Sequence, residues 1–95
     1  MAKYVCDYGA VVSAGQSLIQ AASELTSATN NYSSKITSDL STWSGEAKSA
    51  FMSQCESQVA ATLQKAQTIS EFGEFIVKAA QSIQELDDQL ASLSI

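Results

Sequence analysis

The sequence has no proline and no histidine in its 95 residues, only 4 glycines, 2 cysteines and 1 tryptophan, and 5 basic residues against 10 acidic ones. Each shortage excludes something. Without proline, no obligatory break interrupts a helix anywhere in the chain. Without histidine, a serine or cysteine nucleophile lacks its usual imidazole base. Two cysteines 49 residues apart and no imidazole do not make a zinc site. A net charge of -5 argues against nucleic acid, because counterion release at phosphates needs clustered lysine and arginine. It argues equally against an anionic membrane surface. No apolar run approaches the roughly 18 residues that would span a bilayer.

The first residues, Met1-Ala2-Lys3-Tyr4-Val5-Cys6-Asp7, lack the sustained apolar core and small-residue cleavage site of a signal peptide. The expectation is synthesis in the cytoplasm and, if the protein leaves the cell, secretion without a cleaved signal. No phosphate-binding glycine loop of the GxxxxGK[ST] or GxGxxG kind occurs. Glu85, Asp87 and Asp88 cluster near the C-terminus; paired acids can cleave glycosides in a cleft, but a two-helix chain offers none, and a solvated face is the reading. No catalytic residue, cofactor or metal is expected, and the chain reads as a non-enzyme.

Two heptad arms fill the sequence. In the first, Tyr8, Val11, Gly15, Leu18, Ala22, Leu25, Thr29, Tyr32 and Ile36 alternate by steps of three and four, the spacing of one helix face. In the second, Val59, Thr62, Ala66, Ile69, Gly73, Ile76, Ala80, Ile83, Asp87 and Leu90 do the same, with a neighbouring edge through Leu63, Phe72, Phe75, Ala79, Leu86 and Leu93. Between the arms lies Trp43-Ser44-Gly45, beside the cap-forming Ser41 and Thr42 and ahead of the dipole-complementing Glu46. Gly45 would let the chain approach the end of the first arm closely, and Trp43 would lay its ring across the hinge, as a plug, a recognition element or both.

The predicted architecture is all-α: helix 1 over about 7–40, a turn at 41–45, and helix 2 over about 46–93, two arms of similar length folded into an antiparallel hairpin. With 45% hydrophobic residues, such a hairpin carries more apolar surface than it can enclose. The expectation is therefore that it doubles into a four-helix bundle. The residues expected to pack are Val11, Leu18, Leu25, Tyr32, Ile36, Leu63, Ile69, Phe72, Ile76, Ile83 and Leu90, with small residues such as Gly15, Ala22, Ala66, Gly73 and Ala80 letting helix backbones approach closely. In that hairpin Cys6 and Cys55 stand about 35–40 Å apart, far beyond the roughly 7 Å that a disulfide allows.

Trp43 and Gly45 at the hinge, the chain length and the two heptad arms resemble the WXG family, small helical hairpins exported by type VII (ESX-type) secretion systems of actinobacteria and Gram-positive Firmicutes. The resemblance covers the whole chain in architecture and the tripeptide in strict motif. It implies antiparallel pairing with itself or with a related WXG or LXG helical protein, export in the folded state through the type VII ATPase machinery, and a role as effector, co-secretion partner or part of the export process. Family members often carry a tail motif, tyrosine followed four residues later by an acid. Here Ile83 occupies the tyrosine position before Asp87. That departure favours a partner that supplies the recognition element, as for the small proteins that escort LXG-type toxins. Outside this family, a cytosolic coiled-coil adaptor is the alternative.

Overall fold

The computed structural model describes residues 7–93. Helix α1 spans Tyr8–Asp39 and helix α2 spans Glu46–Leu93, joined by one 3-10 turn at Leu40–Thr42 and three non-helical residues. The chain is thus the expected all-α hairpin, a rod of 76 × 19 × 15 Å.

Its arms are unequal, which corrects the expectation of similar lengths. α1 has 32 residues and α2 has 48. The first arm begins at Tyr8, after Asp7, whose carboxylate accepts a hydrogen bond from the Ala10 amide at 3.0 Å and caps the helix. The second arm meets neither glycine at a turn nor proline before the end of its heptads, so nothing stops it earlier. Threonines, poor helix formers, are accommodated by back-bonding: the hydroxyls of Thr26, Thr29, Thr37, Thr62 and Thr68 each donate to the carbonyl four residues earlier.

The buried line between the helices consists mainly of the smallest residues: Gly15 and Ala22 from α1, and Ala66, Gly73 and Ala80 from α2. They recur every seven residues, so each set stays on one helix face. At their centre the backbones nearly touch. A Cβ on Gly15 would lie 2.8 Å from the Gly73 carbonyl oxygen, and one on Gly73 would lie 2.6 Å from the Gly15 oxygen. Each glycine faces the other's carbonyl, the geometry in which helices exchange weak Cα–H···O contacts.

With Gly15 opposite Gly73, Tyr8 two turns earlier lies near the level of Ala80, and its hydroxyl donates to the Asp87 carboxylate. Ala80 is the last buried residue of α2. The following residues, 81–93, are all exposed and extend roughly 20 Å past the start of α1.

A candidate interaction face

The hinge is built differently from the expectation. Leu40, 5% exposed, plugs the space between the helix ends, while Trp43 is 54% exposed and leans on Phe51 with ring centroids 6.4 Å apart. The Trp43 amide donates to the Leu40 carbonyl at 3.0 Å, holding the 3-10 turn closed. An indole is too large for a gap between two helices this close, so the leucine enters and the tryptophan stays at the tip. Gly45 also has another reason for being glycine. Nothing lies within 4 Å of where its Cβ would be, but its φ is +97°, a backbone region that side chains disfavour. From there its carbonyl accepts the Ser49 amide at 3.2 Å and starts α2.

The hairpin has two unlike sides. On one, Ser23, Thr26, Asn30, Gln67, Ser70, Glu71 and Glu74 line a groove with Ile19 and Leu63 beneath. On the other, Ala28, Tyr32, Ile36, Phe51, Cys55 and Val59 line an apolar groove near the hinge. Sevenfold recurrence extends this second side along the rod. From Tyr32 it runs through Leu25, Leu18 and Val11 on α1. From Cys55 and Phe51 it runs through Thr62, Ile69, Phe72, Ile76, Ile83, Leu86, Leu90 and Leu93 on α2.

This sorting separates residues that the sequence grouped together. Val11, Leu18, Leu25, Tyr32, Ile69, Phe72, Ile76, Ile83 and Leu90 share the apolar side. Ile36 lies at its edge, next to the buried line. Leu63 belongs to the polar side, away from Phe72 and Leu86, with which it was expected to form one edge. Its offset of four from Val59 turns it the other way around the helix. None of the eleven is buried in the single chain. Val11 is 36% exposed, and Tyr32, Phe72, Ile83 and Leu90 are each more than half exposed.

Phe51 and Cys55 belong to the face although the periodicity that identified the second arm began only at Val59. Gln58 and Lys65, seven and fourteen residues beyond Phe51, interrupt the apolar repeat and hide it. Cys55 is a half-buried free thiol, and Cys6 lies outside the described residues.

The residues matched to the tail motif, Ile83 and Asp87, lie on the protruding part of α2. Ile83 is on the apolar side, and Asp87 accepts from Tyr8 across the hairpin. Among the described residues, no group of histidine, cysteine and carboxylate side chains could hold a metal ion, and no helix is long and apolar enough to cross a membrane. No protein-family model, curated protein or solved structure matches the chain.

The face thus presents a row of exposed and half-buried apolar side chains along the rod. The chain exposes 7335 Å², whereas a compact protein of its mass exposes about 5,300 Å².

Proposed function

We propose that this is a non-enzymatic, WXG-like protein of a bacterial type VII secretion pathway. It acts as a secreted substrate or co-secretion partner by pairing its apolar face with another helical protein, giving a four-helix bundle. The observation that carries the reading is a one-sided hairpin with Trp43 and Gly45 at its hinge. Trp43, left exposed at the tip, is available to a partner or to the export machinery, and on the face from Val11 to Leu93 the large side chains of Val11, Tyr32, Phe72, Ile83, Leu86 and Leu93 are exposed.

The tail supports an escort role over autonomous export. Ile83 stands where the family motif has tyrosine, so export of the pair would rely on a signal carried by the partner, such as the helical N-terminal domain of an LXG-type toxin. Two measurements test the reading. Fractionation of culture medium should find the protein outside the cell, alone or with its cargo. Co-expression with products of neighbouring genes, followed by size-exclusion chromatography, should yield a stable helical complex. A protein that stays in the cell with every neighbour present, and sediments alone as a folded monomer, overturns it.

A further inference from the structure

We infer that the hinge-end groove of the apolar side binds a single-chain anionic amphiphile, a free long-chain fatty acid. Its carboxylate sits by Lys35 and Lys48, and its alkyl chain runs toward the middle of the rod. The inference goes beyond the secretion reading and does not rest on it.

The lining sets the body of the ligand. Tyr32 and Ile36 of α1, with Phe51, Cys55 and Val59 of α2, border a groove of about 630 Å³, within the roughly 300–1,000 Å³ of small-molecule sites. No charged residue lines it. Thr29 and Thr62, also in the lining, spend their hydroxyl protons on the carbonyls of Leu25 and Gln58, so they offer a polar ligand no donor. The groove follows α2 from 51 to 62, about 16 Å. With C–C bonds of about 1.5 Å, an extended alkyl chain covers that length in about a dozen methylenes.

Charge sets the head. The charged residues one heptad from a lining residue are Lys35, Lys48, Lys65 and Asp39, and heptad spacing keeps each on the stripe of its lining residue. Three of the four lysines among the described residues thus border this groove, in a chain of net charge -5. The groove on the opposite side reverses the sign. Glu71 and Glu74 line it, and one heptad from its lining stand Glu56 and Lys78. A carboxylate is attracted to the first groove and repelled by the second.

Continuity sets the direction. At the hinge the apolar side ends at Lys48 and the turn, whereas past Thr62 it continues over Leu25, Ile69 and Leu18. The head therefore lies at the hinge, where two ammonium groups outweigh Asp39, and Lys65 flanks the tail. An anionic bilayer would set its surface charge against the whole acidic rod, so the occupant is the free acid.

The test titrates the protein with decanoate and dodecanoate by calorimetry, below their critical micelle concentrations. One molecule should bind per chain, and dodecanoate roughly tenfold more tightly, for two more buried methylenes. Lys35→Gln and Lys48→Gln should each weaken binding about two- to fivefold at low salt, and Lys78→Gln, on the other side, should leave it unchanged. In a Cys6→Ser background, dodecanoate should slow maleimide alkylation of Cys55 about tenfold, because the reaction needs an accessible thiolate. Ala28→Phe, at an exposed lining position, should fill the groove and abolish binding with helicity unchanged.

No binding, several molecules bound per chain, or binding that survives Ala28→Phe overturns the inference. A larger loss from Lys65→Gln than from Lys35→Gln and Lys48→Gln overturns the placement of the head. Affinity for phosphatidylglycerol vesicles without affinity for dodecanoate overturns the free acid in favour of a lipid surface.

Discussion

Gly15 and Gly73 face each other where the two helix backbones nearly touch, and their substitution separates packing from helix propensity. Alanine is the better helix former by about 1 kcal/mol, so Gly73→Ala would stabilise α2 if the position were open. With a Cβ only 2.6 Å from the Gly15 oxygen, the helices must part instead. The expected outcome is a net loss of about 1–3 kcal/mol in urea denaturation followed by circular dichroism; an unchanged or higher midpoint would show that the backbones are not this close. Gly45 is the opposite case, with free space but a φ of +97°. Gly45→Ala should cost about 1–2 kcal/mol through backbone strain alone. Leu18 and Ile69, expected from the heptads to carry the packing, are only half-buried in the single chain. Leu18→Ala should therefore cost less than the 2–5 kcal/mol of a fully buried leucine when measured on dilute monomer, and more once the face is covered.

Among the elements, α2 divides into two parts with different support. Up to Ala80 it lies against α1; after it, residues 81–93 are exposed throughout, with the Tyr8–Asp87 hydrogen bond midway along the extension. Lone helices this short are marginal in water. Backbone amides in 82–93 should therefore exchange with deuterium much faster than those around Ala66 and Gly73 at low concentration. Raising the concentration should protect the tail and leave the centre unchanged. Protection of the tail that is equally high in dilute monomer would mean that it needs no cover.

For the molecule as a whole, shape is the accessible observable. The chain's radius of gyration is 21.8 Å, against about 12 Å for a compact domain of 95 residues. A fully overlapped antiparallel dimer doubles the mass at low-angle X-ray scattering while the radius stays close to that of one chain. An end-to-end assembly would lengthen it greatly, so mass and radius together tell the arrangements apart. Association through the proposed, largely apolar face should be nearly unchanged by added salt.

The sequence by itself determined the helical content, the hinge between 40 and 45, and the concentration of apolar residues into stripes. These follow from local rules: heptad spacing, cap residues, and the absence of proline. Tertiary structure decided what each stripe residue does. Which residues reach the helix–helix axis depends on how closely the backbones approach, and at the Gly15–Gly73 contact only the smallest side chains fit. The larger ones were thereby moved outward, Leu63 to the polar side and Tyr32, Phe72 and Ile83 to the uncovered one. The same packing placed Leu40 in the hinge in place of Trp43. It also set the offset between the arms, so that α2 continues past the level of Tyr8, where α1 starts, with residues 81–93 exposed. Periodicity fixes a residue's direction around its own helix; only the second helix, by its position and distance, determines whether that direction is inside.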